Sequence, residues 1–306
     1  MSVPSIPATI SRAIRVATTN VPLFSVALAA QGNINLNGNN VATDSFNSTL
    51  TNLSTNGRYD PTKTSTNGDV ASVAGIVNVG NANINGSVLL GANAANTIKN
   101  NGYVSGGVTN DFNYVFPDVV IPPGAFSWLT PSLVSQVIGG VTYSYVFTTS
   151  GNFQLPSLSG SIYVATNASV TLLINGNATP STIELAGPGP GARLTIYMDG
   201  PTFSLSGNTT VDGGSALNLT YFGTTNNSAI SLSGNASFTG TIYAPEAAFS
   251  LGGGGNNTYD FVGSVIANTA TINGHFNFHY DEALLTQGPM RGYAATSWRE
   301  VFWGEL

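Results

Sequence analysis

The chain has 306 residues, 42% of them hydrophobic and only 7% charged, with 8 Lys and Arg against 14 Asp and Glu and a formal net charge of −6. So few cations exclude the basic stripe that nucleic acid requires, and the absence of cysteine excludes a disulfide framework or a thiolate metal site. The 36 glycines and 15 prolines, set among abundant Asn, Ser and Thr, describe short strands joined by tight corners rather than long helices.

Residues 1–30 read as an entry segment, in which Ile14 and Val16, followed by threonines, form a first strand. Val21 to Ala30 is apolar but about half the roughly 20 residues that a bilayer span needs. It also lacks an A-x-A cleavage pattern, so it makes a poor signal peptide. The first glycine-asparagine corner is Ile34-Asn35-Leu36-Asn37-Gly38-Asn39. A polar insertion near 44–67 follows and reads as a surface loop.

Val70 to Leu90 returns to strands, with Ile84, Gly86 and Val88 spaced as I-x-G-x-V. A second insertion spans about 92–150. It opens with a Gly/Asn-rich excursion over Ala92 to Asn110 and closes on the strict alternation of Tyr143, Tyr145 and Phe147, a half-buried strand.

From Phe153 onward the pattern is nearly unbroken and repeats at a fixed interval. Phe238, Gly240, Ile242 and Ala244 return 23 positions later as Phe261, Gly263, Val265 and Ala267. The same shift carries Leu194, Ile196 and Gly200 onto Leu217, Leu219 and Gly223. A period in the twenties marks a solenoid, in which each repeat buries its apolar face only against its neighbours. The expectation is an all-β fold, a parallel β-helix with coils of about 23 residues over 31–285; an antiparallel all-β fold is the alternative. Asn in the same corner of successive coils should stack its amides.

The tail breaks the period. Asp281 to Leu285 has the form of a helical turn, and Ser297-x-x-Glu300 has the form of a capping box, which would put Trp298, Val301 and Phe302 on one helical face. Residues 286–306 are therefore expected to cap the last coil with aromatic side chains.

Few residues invite chemistry. His275 and His279 are the two histidines, and the F-N-F alternation between them predicts a strand. That separates them by about 13 Å, too far for one metal ion, and leaves His279 to pair with Asp281. A polysaccharide-degrading β-helix needs clustered carboxylates. Asp199 with Asp212, and Glu246 with Asp260, come nearest, but neither spacing is a whole coil. Gly252 to Asn257 lacks the aspartate of a calcium-binding repeat, and Gly187 to Gly191 lacks the lysine of a phosphate loop. No catalytic, cofactor-binding or metal-binding residue is assigned, and no cofactor is expected.

Several short motifs occur in a telling order: I-N-L-N-G-N at Ile34 to Asn39, L-S-G-N at Leu205 to Asn208 and Leu232 to Asn235, and F-T-G-T-I-Y-A-P at Phe238 to Pro245. The chain then ends on F-H-Y-D-E-A-L at Phe278 to Leu284 and S-W-R-E at Ser297 to Glu300. From about Arg12 to Leu306 the chain resembles an uncharacterised bacterial domain of PilX-like, type IV pilus-associated proteins. Members of that family carry an N-terminal hydrophobic pilin-like helix, and no established catalytic residues come with the resemblance. It implies a non-enzymatic structural or adhesive cell-surface module with pilus or cell-envelope partners. The expected location is the bacterial envelope, with anchoring by about 20 apolar residues upstream of Met1. The alternatives are a carbohydrate-binding or polysaccharide-degrading β-helix, and a self-assembling scaffold.

Overall fold

The structure, a computed structural model, describes residues 13–99, 101–187, 191–253 and 259–301. These residues form a predominantly β structure whose strands pair in parallel, apart from two antiparallel ribbons and two isolated bridges. Three ladders account for the parallel pairs. The first runs through Tyr145–Phe147, Ile162–Val164, Thr182–Leu185 and Thr210–Asp212. It continues into the long strands Ser237–Gly252 and Tyr259–Ile272, then Phe276–Asp281, Ala42–Phe46, Asn83–Ile84 and Tyr103–Val104.

The second ladder runs from Gly151–Leu155 through Ser169–Ile174, Arg193–Met198 and Leu219–Gly223 to the same two long strands. Beyond them it takes in Leu28–Ala30, Val70–Ser72, Val88–Leu90 and Val108–Thr109. The third joins Thr202–Leu205, Ala229–Ser233, the ends of the long strands, Ile34–Leu36, Ile76–Val79 and Ala95–Ile98. Because each long strand contributes to all three ladders, the ladders are three sides of one solenoid-like stack.

The order of coils in space differs from their order in sequence. The chain enters mid-stack at Leu28–Ala30 and lays down coils as far as Val108–Thr109. It then passes outside the stack and re-enters at the far end with Tyr145–Phe147. The later coils come back until Val265 pairs with Leu28 and Asn277 with Ala42. Ile242, Val265 and Leu28 are thus consecutive rungs of one ladder, each fully buried. The phenylalanines of the two F-x-G repeats, Phe238 and Phe261, stack with Phe278 of the next strand, with ring centroids 5.0 and 4.9 Å apart.

The 23-residue shift holds where Phe238 meets Phe261, but the coils are uneven. Leu194 pairs with Leu219, not with Leu217, and Met198 with Gly223. A slip of two keeps every side chain on its own face, which is why the sequence tolerates it. Corners absorb the variation. Gly207 and Gly234 turn at φ 67° and 69°, and beside them Asn235 donates to Asn208 at 2.8 Å, the expected amide stack.

Two further stretches depart from expectation. The Gly/Asn-rich excursion over 92–110 supplies the strands Ala95–Ile98, Tyr103–Val104 and Val108–Thr109 of a further coil. The tail is not helical at Ser297: Met290–Val301 is a strand, paired antiparallel with Ala13–Pro22. Tyr293 and Trp298 are about three-quarters exposed there, so the described tail does not cover a coil end. Pairing with Ala13–Pro22, and not a local pattern, sets this conformation. The helical turn is Leu284–Gln287. Phe302, residues 188–190 of the phosphate-loop reading and 254–257 of the calcium-repeat reading lie outside the described residues.

The crossing segment 110–135 straps the second ladder from outside. Phe112, Tyr114 and Phe116 form a second apolar cluster with Tyr243, Ile266, Ala29 and Ala71, and the Tyr243 hydroxyl donates to the Pro117 carbonyl at 2.6 Å. At the far end, the Gln154 amide holds the strap by donating to the carbonyls of Phe126 and Trp128.

Val265→Asp should therefore cost about 4 kcal/mol by burying an unpaired carboxylate between Ile242 and Leu28. Gly263→Ala should cost about 2 kcal/mol, because its φ is 132° and a Cβ would run into the Gly240 carbonyl. Chemical denaturation of both variants checks this, and wild-type midpoints would contradict the register.

Candidate functional site

Loop 47–67 folds back over the outer side of the first ladder, and polar groups gather there around two cavities. Alternation along Phe276–Asp281 turns Phe276 and Phe278 into the core and leaves His279 facing outward, against the loop. His279 Nδ1 hydrogen-bonds Asp44 Oδ1 at 2.6 Å, and the Tyr59 hydroxyl donates to Asp44 Oδ2 at 2.8 Å. The Tyr59 ring stacks on the imidazole, centroids 3.5 Å apart, with Phe46 edge-on to it. The partner of His279 is therefore Asp44 on the neighbouring strand, in place of Asp281. Parallel stacking sets His279 directly beside Asp44, which spacing within one strand does not reveal.

Asp281 instead fastens the loop base. Its Oδ1 accepts from the backbone N–H groups of Ser48 and Ala283, and its Oδ2 meets no hydrogen-bond partner among the described residues. Burial pushes its carboxyl above the ordinary range, against the opposing pull of the Ser48 and Ala283 hydrogen bonds. Glu282 adds a second tie, accepting from Ser45 Oγ at 2.7 Å and Asn67 Nδ2 at 2.8 Å. Within the loop, Asp60 accepts from Thr55 and Thr62, bonds that hold its carboxyl down at about 2.

Arg58 leaves the loop tip to pair with Asp212 at 3.3 Å. Between loop and stack lie two cavities of about 230 and 170 Å³ that share Gly57 and Ser215. Arg58, Tyr59 and Thr239 line the larger, and Arg193, Asn218 and Gln287 the smaller.

The two carboxylate pairs that come nearest in the sequence lie on different parts of the stack. Asp199 sits at a corner beyond the second ladder, bonded to Thr224 and Asn226, while Asp212 lies on the first. Glu246 accepts from Gln31, and Asp260 pairs by its backbone with Asn277. The stack does bring Glu184 and Asp212 together, one directly above the other. The signal was present: Thr182-Ile183-Glu184 and Thr210-Val211-Asp212 share one pattern. Both acids are engaged, Glu184 by the Tyr143 hydroxyl and Asp212 by Arg58 and the Gly214 N–H at 2.7 Å. His275 lies outside the strand, its Nδ1 3.3 Å from Asn40 Nδ2. Among the described residues no group of three or more His, Cys, Asp or Glu is placed to hold a metal ion.

A family model described as a domain of unknown function (DUF7305) matches residues 144–287. That span holds the returning coils and stops at the helical turn. No curated protein matches the chain. Among solved structures, a competence-associated pilin ComZ from Thermus thermophilus is similar at 12% identity, over 94% of this chain and 77% of that one, with a TM-score of 0.36. An ice binding protein from an Antarctic bacterium Flavobacteriaceae is similar at 13% identity, over 83% of this chain and 80% of that one, with a TM-score of 0.27.

The raised Asp281 carboxyl gives a pH prediction with a definite sign. Folding favours its neutral form, so its contribution is fully present below the ordinary value of 3.8 and is lost as pH rises through the folded value. Wild type should therefore gain stability relative to Asp281→Asn as pH falls from 7 to about 3.5. Melting temperatures of both across that range check it, and a constant difference would contradict it.

Proposed function

We propose that the protein is a non-enzymatic structural or adhesive module of a bacterial cell surface, a parallel β-solenoid associated with a type IV pilus. The observation that carries this reading is the third ladder. The first side of the stack is partly covered by loop 47–67, and the second by the strap. Among the described residues no segment covers the third, and its central outward column reads Ser204, Ser231, Ser250, Thr271, Asn35, Asn78 and Thr97 in continuous register. No rung carries a charge. Neighbouring rungs lie about 4.8 Å apart, and Ser231 Oγ donates to Ser204 Oγ at 3.0 Å. A flat, ordered and uncharged side suits contact with an extended surface better than the capture of a small molecule.

The PilX-like motifs supply the pilus and envelope part of the reading. On it, the coils from Leu28 to about 285 make one solenoid domain with insertions at 47–67 and 110–144, and the ribbon strands Ala13–Pro22 and Met290–Val301 belong to its attachment. No helix among the described residues is long and apolar enough to cross a membrane. A polysaccharide-degrading role is second, favoured by the stacked Glu184 and Asp212. Their engagement by Tyr143, Arg58 and Gly214 leaves neither poised for acid–base work.

Beads coated with the protein should adhere to bacterial cells or to the cell's growth surface. Ser231→Lys with Thr271→Lys should reduce adhesion at least about tenfold while leaving the melting temperature within a few degrees, since surface changes away from the core cost little. Pectin, alginate, chitin and peptidoglycan should be left intact. Depolymerisation that is lost in Glu184→Gln or Asp212→Asn would contradict the proposal and favour the enzyme reading.

A further inference from the structure

The antiparallel ribbon of Ala13–Pro22 and Met290–Val301 has a role that a bare adhesive side does not explain. Its base lies against the strap, where Arg291 sits 4.3 Å over the Tyr114 ring. Beyond the base, residues 14–20 and 293–300 are exposed. A lone two-stranded ribbon is marginal in water and has two open edges.

The register sorts its side chains by chemistry. Val16 lies opposite Trp298, with Ile14 next along the same face. On the other face Arg15 lies directly opposite Arg299. An exposed Trp–Val–Ile patch adds nothing to stability. Trp298 is 74% exposed and Ile14 63%. The ribbon is therefore apolar and aromatic on one face and cationic on the other.

It is also basic on an acidic protein. Of six arginines, Arg12, Arg15, Arg291 and Arg299 lie in or immediately before these strands, where Glu300 is the single acid. An element with Trp and aliphatic side chains on one face and Arg on the other lies in the plane of a lipid–water interface. Its cations then stand at the level of the phosphates, where each contributes about 1 kcal/mol if the lipid is anionic.

We propose that this ribbon is an interfacial anchor that lays the protein on an anionic lipid surface. Trp298, Val16 and Ile14 enter the headgroup layer, and Arg15 and Arg299 face the phosphates.

The test is co-sedimentation of the full chain with vesicles of phosphatidylcholine, alone or mixed with an equal amount of phosphatidylglycerol. The protein should sediment with the mixed vesicles, much less with the neutral ones, and less as salt is raised. Each of Arg15→Gln and Arg299→Gln should weaken partitioning about fivefold. Trp298→Ser should weaken it as well. Unchanged melting temperatures in these variants would show that the stack is intact. Absence of sedimentation, equal sedimentation with both vesicles, or arginine variants that bind like wild type would each overturn the proposal. Concentration-dependent dimerisation lost in Trp298→Ser, without vesicle binding, would assign the ribbon to a second copy instead.

Discussion

Val265 packs between Ile242 and Leu28, and the rest of the molecule depends on that sandwich. On one side is a residue 23 positions earlier in the chain; on the other is one near its start. The pairing Leu28↔Val265, with Asn277↔Ala42 and Ala270↔Ile34 around it, welds the last returning coil to the first outgoing one. Without it there would be two short stacks, each with an open parallel edge and a half-exposed core. With it there is one stack, and the strands Ala13–Pro22 and Met290–Val301 leave from its middle as a ribbon. Such closure is non-local, so its loop entropy must be met before the contacts reward it, which slows folding.

The same weld places the polar features. It brings Asp44 beside His279, and it continues the uncharged column from Thr271 into Asn35. It also forces the chain to travel the outside of the stack between Thr109 and Tyr145. That journey covers the second side with Phe112, Tyr114 and Phe116 and, among the described residues, leaves the third uncovered. The distribution of covered and uncovered sides is thus a consequence of topology.

Much of the local structure was legible in the residues. The F-x-G-x-[IV]-x-A repeat marks the coils, because stacking makes successive coils share residue types at matching rungs, as Phe238 and Phe261 do. The strand over Phe276–Asp281 and the helical turn after it were legible from alternation and its end. The order of the coils was not, since period and alternation say which residues face inward and nothing about which coil lies beside which. Tyr59–Asp44–His279 was hidden for the same reason. The tail misled because Ser297 and Glu300 have capping-box spacing, while pairing with Ala13–Pro22, across nearly the whole chain, decides its conformation. Tertiary pairing outweighs a local propensity of a few tenths of a kcal/mol.

The central claim is that the N-terminal coil stacks directly on the last C-terminal one. Because the chain has no cysteine, Asn35→Cys with Thr271→Cys places a single reporter pair on adjacent rungs of the bare side. The rung spacing is within disulfide reach. Mild oxidation should give an intramolecular cross-link, seen as a mobility shift, as readily as the control pair Ser231→Cys with Ser250→Cys. A control that cross-links while the 35–271 pair stays reduced would contradict the account.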